Sequence, residues 1–103
     1  MTESEFNELA DGVFARIEQA VDACGADIEC SLNGALLELE FEDGSKIIIN
    51  RHTPNREIWL AARSGGFHYA WQEGGWLSRR DGSELFAKLG ELVKLGCGAA
   101  IRF

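Results

Sequence analysis

Four carboxylate side chains lie in two neighbouring segments near the beginning of the chain. Glu18 and Asp22 are four positions apart, which places them on one side of a predicted helix, and Asp27 and Glu29 share the outer side of the strand predicted to follow. Like charges at this helical spacing cost roughly 0.2–0.5 kcal/mol per pair, so they are not explained by helix stability. If the strand lies at a sheet edge beside the helix, these four residues form one strip, which we call the acidic ridge.

The acidic ridge would suit a hard cation, because it offers only oxygen ligands. An open strip without a closed cage predicts weak, labile and poorly selective binding, with water completing the coordination shell. Composition alone favours a simpler interpretation, in which the carboxylates form a solvated face that keeps the domain soluble and protects an edge strand. Further carboxylates on the first helix rank lower as ligands: Glu3, Glu8 and Asp11.

Three runs of β-forming residues follow one another in the middle of the chain, separated by turn residues around Pro54 and Gly65. They are Lys46–Arg51, Glu57–Ala62 and Phe67–Trp71. Period-2 alternation predicts an aliphatic and aromatic face that packs inward, formed by Ile47, Ile49, Ile58, Leu60, Phe67, Tyr69 and Trp71.

The same alternation gathers Trp59, Asn50, His52 and His68 on the outer face of the predicted sheet. A tryptophan exposed among polar residues is typical of a protein-contact site, since it supplies area and a hydrogen-bond donor at low entropy cost.

Two alternatives remain open for this outer face. Trp59 could instead be partly buried against the stems of Arg51 and Arg63. The two histidines could bind a metal, but without a third ligand nearby the pattern favours ordinary surface polar residues.

Helical periodicity predicts two helices that flank the strands. The first spans residues 4–24, with Ser4 as N-cap, and the second runs to about Leu95, with Asp81 and Glu84 at capping-box spacing. The predicted buried stripe of the first helix is Phe6, Leu9, Ala10, Val13, Ile17, Val21 and Cys24. That of the second helix is Leu85, Phe86, Leu89, Leu92, Val93 and Leu95.

Between the helices, alternating runs and an Asn33-Gly34 hairpin signal predict about six antiparallel strands. We therefore expect a single domain over residues 1–103 with an α+β fold, a two-layer sandwich with both terminal helices on one face of the sheet. The tail residues Ile101 and Phe103 should lie against the helices.

The overall charge restricts the partners. A net charge of −7 and a pI near 4.7 disfavour nucleic acid and favour cations and basic protein surfaces. No apolar run approaches the ~20 residues of a membrane span, and the first residues lack the basic and apolar regions of a signal peptide. We expect a cytoplasmic monomer that does not bind membranes.

The three cysteines have no C-x-x-C spacing, which argues against a disulfide framework or a thiolate zinc site. We expect Cys24, Cys30 and Cys97 to be buried small hydrophobic residues. The sequence contains no nucleophile elbow, phosphate loop or metalloprotease motif, so we expect a protein that is not an enzyme.

The run I-N-R-H-T-P-N-R-E-I-W-L, followed by G-G-F-H-Y-A-W and W-L-S-R-R-D-G, resembles the frataxin family, in particular its bacterial CyaY branch. The similarity extends over nearly the whole chain and implies a frataxin-like α-β sandwich. It also implies weak, labile binding of Fe²⁺ or Fe³⁺, for which other divalent cations can substitute, because family members bind iron through acidic residues of the first helix and first strand. The matching residues here are Glu18, Asp22, Asp27 and Glu29. Gln19 and Ala23 stand where relatives often carry further acids, which implies fewer or weaker sites.

The resemblance further implies partners, namely the cysteine desulfurase of iron–sulfur cluster assembly and its scaffold protein. Trp59, Asn50 and His52 match family positions on the sheet face used in that assembly, although His52 replaces a residue that is frequently Gln. Glu18 and Asp22 are expected to contribute to the same docking. The expected function is thus an iron-binding adaptor that regulates cluster assembly. The alternative is an iron-oxidising or iron-storing protein that uses the same carboxylates.

Overall fold

The structure is a computed structural model that describes all 103 residues. In chain order its elements are α1 (Glu3–Ala23), β1 (Ile28–Asn33), β2 (Leu36–Phe41), β3 (Lys46–His52), a 3₁₀ turn (Thr53–Asn55), β4 (Glu57–Ala62), β5 (Gly65–Gln72), β6 (Gly75–Ser78) and α2 (Leu85–Cys97). The six strands form one antiparallel sheet in the order β1-β2-β3-β4-β5-β6. Both helices pack on one face of it, which confirms the predicted two-layer α+β architecture.

Helix α1 begins with a capping box formed by Thr2 and Glu5. The Thr2 hydroxyl accepts a hydrogen bond from the Glu5 amide at 3.1 Å, and the Glu5 carboxylate accepts one from the Thr2 amide at 3.0 Å. Ser4 therefore lies inside the helix, and the prediction that it caps the helix was wrong. The buried side is close to the predicted stripe, but Leu9 and Cys24 are only half-buried and two residues are added to it: Phe14 and Ala20.

The sheet presents its apolar face to the helices. Alternation is regular in β2, where Leu37, Leu39 and Phe41 are buried and the intervening glutamates are half-exposed. The first hairpin differs from the prediction by one residue, because Asn33 pairs with Leu36 and the two-residue loop is Gly34-Ala35.

Trp71 lies on the helix side of β5 as predicted, but it is 37% exposed. The neighbouring Trp76 takes the buried position, with its ring edge-on to Trp71 at 5.3 Å and to Phe6 of α1 at 6.0 Å. Trp71 is therefore left at the margin of the core.

Helix α2 is capped by Glu84, whose carboxylate accepts hydrogen bonds from the amides of Phe86 and Ala87, both at 3.0 Å. Asp81 does not share in this cap, because it accepts from Ser83 instead. The expected burial of Leu95 was wrong, since it is 75% exposed.

The last turn of α2 directs Gly96 rather than Leu95 at the sheet. A Cβ on Gly96 would lie 2.6 Å from the Phe41 ring, so only glycine permits this close approach of helix and sheet.

The tail after α2 folds back onto the helices, as expected. The Phe103 ring lies 5.5 Å from that of Phe86, and Arg16 donates two hydrogen bonds to the Phe103 carbonyl oxygen at 3.1 and 3.0 Å.

The cysteines are all free. Cys24 and Cys30 are half-buried, but Cys97 is exposed, which corrects the expectation for that residue. Neither helix meets the length and hydropathy that a bilayer-spanning helix requires.

Candidate metal-binding and partner-binding surfaces

Glu18 and Asp22 project into solvent from the C-terminal half of α1, beside the buried residues Ile17 and Val21. The last turn of the helix contains no basic residue, so Asp22 adds negative charge to the negative end of the helix dipole. This end of α1 therefore has a field that favours cations or a basic partner.

The same end of α1 lies against β1, the edge strand of the sheet. Burial raises the pKa of the Cys30 thiol, and the nearby charges of Glu18 and Asp22 raise it further. Since Cys30 faces the core opposite Leu39, the two helix carboxylates lie on the helix side of this edge.

The other two ridge residues approach the edge from the strand. Asp27 is exposed in the turn before β1, and Glu29 is exposed on the outer face opposite Glu40. No group of three or more His, Cys, Asp or Glu side chains is arranged to hold one ion. An ion at this edge would therefore keep most of its water ligands.

Trp59 lies at the centre of the outer sheet face, between two imidazoles. Its ring centroid is 3.9 Å from that of His52 and 4.3 Å from that of His68, with interplanar angles of 6° and 8°. Strand order explains the sandwich, because β4 lies between β3 and β5. The three rings form one stack that leaves ring edges, not an indole face, free for a partner; we call this stack the Trp59 platform.

The indole is also fixed by a hydrogen bond, since its Nε1–H donates to Glu57 Oε1 at 2.8 Å. Glu57 was not singled out from the sequence, although it lies two residues before Trp59 and alternation places both on the same face. Asn50 is the direct cross-strand partner of Trp59, and Leu36 is that of Asn50. The platform is held in place before any partner arrives, which reduces the entropy cost of binding.

The geometry excludes a metal site between the two histidines and burial of Trp59 by Arg51. Because the indole lies between His52 and His68, their ring nitrogens cannot converge on one ion. The half-buried indole stacks on these imidazoles. Arg51 does not cover it, because Arg51 lies on the opposite face, paired with Asp11 at 2.7 Å and placed over the Phe14 ring.

The acidic ridge and the Trp59 platform occupy different parts of the molecule. Glu29 is three strands away from Trp59 in the sheet and four positions away in register. With strands ~4.8 Å apart and ~3.3 Å per residue along them, the separation is about 20 Å. An interface of ordinary size, about 800 Å² per side, spans a distance of the order that separates Glu29 from Trp59.

The comparisons with known proteins agree with this architecture. The sequence model of the frataxin-like domain matches residues 1–99. The iron-sulfur cluster assembly protein CyaY of Dechloromonas aromatica is 50% identical over 102 residues, which cover 98% of this chain and 97% of that protein.

The chain belongs to the frataxin family. This confirms the resemblance seen in the sequence, including its CyaY branch. Among solved structures, a frataxin from Psychromonas ingrahamii, described within the CyaY protein family, superposes with a TM-score of 0.93 at 38% identity. It matches over 98% of this chain and 96% of its own.

A more distant frataxin structure contains a bound metal. The trimeric frataxin from the yeast Saccharomyces cerevisiae, complexed with ferrous iron, has a TM-score of 0.71 at 26% identity. The alignment covers 95% of this chain and 88% of the yeast chain.

Proposed function

We propose that this protein is a non-enzymatic, cytoplasmic adaptor of iron–sulfur cluster assembly, built as one domain over residues 1–103. It binds the cysteine desulfurase and its scaffold protein through the acidic ridge and the Trp59 platform, and it holds Fe²⁺ or Fe³⁺ weakly. The name of the CyaY relatives supports the pathway. The main support for docking at this face is the Trp59 platform itself, a preorganised group of aromatic rings on an open sheet face.

The acidic ridge supplies long-range attraction in this proposal. Glu18 and Asp22 are exposed and have no basic neighbour in the last turn of α1, so their charge is available to a basic patch on the desulfurase. Contacts of this kind mainly raise the association rate and are weakened by salt. The Trp59 platform, with Asn50 and His52, supplies the contact area.

Iron binding at the ridge is supported by its oxygen ligands and by the ferrous complex of the yeast frataxin. The lack of a three-ligand cluster supports weak and labile binding, with other divalent cations as substitutes. An ion bound to the folded protein stabilises it, so millimolar divalent cations should raise the melting temperature. Neutralising the ridge in E18Q/D22Q/D27N/E29Q should reduce that rise, whereas an equal rise would place the ions elsewhere.

The competing function is iron oxidation or storage at the same carboxylates. It predicts catalytic turnover in iron oxidation that disappears in E18Q/D22Q. The adaptor proposal predicts no such turnover, together with an effect of these residues on binding to the desulfurase.

The decisive experiment is a titration of the desulfurase with E18K/D22K. Charge reversal should weaken binding, and more strongly at low salt, because the contact is electrostatic. E73K/E91K is the matched control, since it makes the same charge change at two exposed positions away from the ridge. Unchanged affinity in E18K/D22K, or an equal loss in the control, would count against docking through the ridge.

A further inference from the structure

Charge is distributed unevenly along the chain, and the fold turns this into an uneven surface. Twelve of the 17 acidic residues precede Gly44, whereas nine of the 10 basic residues follow it. Because the strands occur in the sheet in chain order, the acidic β1–β2 edge lies across the sheet from β6, which is followed directly by Arg79 and Arg80. These two arginines therefore lie at the opposite edge of the sheet from the acidic ridge.

An open cleft of about 360 Å³ lies at the end of β6. Arg79 and Arg80 line it together with His68 and Glu57. Both arginines are exposed, and none of the protein's three ion pairs includes either of them. Two arginines without a carboxylate partner thus line one concave site.

The backbone that carries the two arginines is held by hydrogen bonds. The Arg80 amide donates to Ser78 Oγ at 3.2 Å, the Gly82 amide donates to the Ser78 carbonyl at 2.9 Å, and the Ser78 amide donates to the Ser83 carbonyl at 2.8 Å. The arginine-bearing turn is therefore largely preorganised, which lowers the entropy cost of binding.

Two acidic residues lie close enough to compete for the arginines, and both are engaged elsewhere. Asp81 accepts hydrogen bonds from the amide and hydroxyl of Ser83, which hold its pKa below the ordinary value. One Glu57 oxygen accepts the indole N–H of Trp59. Neither carboxylate forms a salt bridge with Arg79 or Arg80, so the cleft retains its attraction for an external anion.

We infer that this cleft, which we call the Arg79–Arg80 cleft, docks an acidic segment of a protein partner. Guanidinium groups match carboxylates in charge and in planar, bidentate geometry. The cleft has room for individual side chains, and the carboxylates of Glu29, Glu38 and Glu40 elsewhere on the outer face disfavour a long polyanion such as nucleic acid. His68 belongs to both the cleft and the Trp59 platform, so the two surfaces are continuous.

The test uses the full chain and a fluorescein-labelled hexaglutamate peptide as probe, followed by anisotropy and by amide shifts in NMR. The shifts should gather at residues 66–68 and 78–80. R79E/R80E should weaken peptide binding by roughly tenfold or more, because it replaces both charge-assisted contacts with repulsion. R63E/R102E, with the same charge change at two exposed residues outside the cleft, should change it by less than about twofold.

Three results would overturn the inference: an equal loss in R63E/R102E, shifts that gather outside the cleft, or the same shifts with inorganic phosphate at equal concentration. The last would show a general anion site rather than a site for acidic protein segments. The inference is independent of the acidic ridge, so E18K/D22K should retain peptide binding. Failure of desulfurase binding in that variant can therefore be distinguished from failure at the cleft.

Discussion

Replacing Trp59 with alanine should weaken binding to the desulfurase while leaving the protein folded. The indole lies on the outer sheet face, outside the core beneath the helices, and its main contacts are the two imidazoles and Glu57. Removal of a central aromatic anchor from an interface typically costs at least ~2 kcal/mol, so affinity should fall by about 30-fold or more.

The cost in stability follows from the same contacts. Each stacked pair contributes ~0.5–1.5 kcal/mol, so W59A should lower the free energy of unfolding by about 1–3 kcal/mol. Each kcal/mol corresponds to a fall of ~4–8 °C in melting temperature for a domain of this size. A typical stability of ~5–15 kcal/mol keeps the variant folded at 25 °C.

The assay combines chemical denaturation with a desulfurase titration at 25 °C, with W59F as the matched control. Phenylalanine keeps a ring between the imidazoles but loses the hydrogen bond to Glu57, so W59F should lie between the native chain and W59A in both measurements. A stability loss above ~4 kcal/mol would indicate a core residue instead. Unchanged affinity in W59A would refute the role of the Trp59 platform in docking.

Three further predictions concern local structure. In G96A the new Cβ would meet the Phe41 ring at 2.6 Å, so thermal denaturation should show a loss of about 1–3 kcal/mol, and unchanged stability would contradict that contact. The hydrogen bonds from Thr2 lower the pKa of Glu5 from 4.5 in the folded protein. The capping box therefore stabilises the fold above pH 4.5, and this stabilisation is lost as the pH falls through the lower folded-state pKa. T2A should flatten this part of the curve of stability against pH. Burial raises the pKa of Cys30, and the charges of Glu18 and Asp22 raise it further, so E18Q/D22Q should speed alkylation of Cys30 near pH 8.5, with exposed Cys97 as internal reference. An equal rate would show that the two carboxylates lie away from β1.

The sequence predicted those features that depend on periodicity. Alternation placed Trp59, His52 and His68 on one face because successive strand residues point to opposite sides. It could not show that the indole lies between the two imidazoles. That arrangement depends on register, which is set by the Thr53–Asn55 turn and by Arg56, whose φ of 54° is left-handed.

The errors in the helices have local causes. Thr2 and Glu5 fit the capping-box pattern directly, whereas Ser4 has no Glu or Gln three residues later, so the signal for the true cap was present in the sequence. Leu95 was assigned to the core because it is apolar, but the stripe defined by Leu92 continues to Gly96, which faces Phe41. Glycine has no side chain, so Gly96 does not show in the sequence as part of a hydrophobic stripe.

The position of the charged surfaces could be seen only in the folded structure. Glu18 and Asp22 could be paired from their spacing, but their position beside β1 depends on how α1 crosses the sheet. Arg79 and Arg80 were not singled out, because a pair of basic residues in a turn resembles any solvated loop until its neighbours in space are known.

The central claim is that the acidic ridge and the Trp59 platform bind the desulfurase together. An NMR titration of the full chain with the desulfurase tests it most directly. We expect perturbation of the amides of residues 18–29 and of the Trp59 indole N–H in the same titration, with the same saturation point. Perturbation confined to α2 and the tail, or an indole signal that does not move, would contradict the claim.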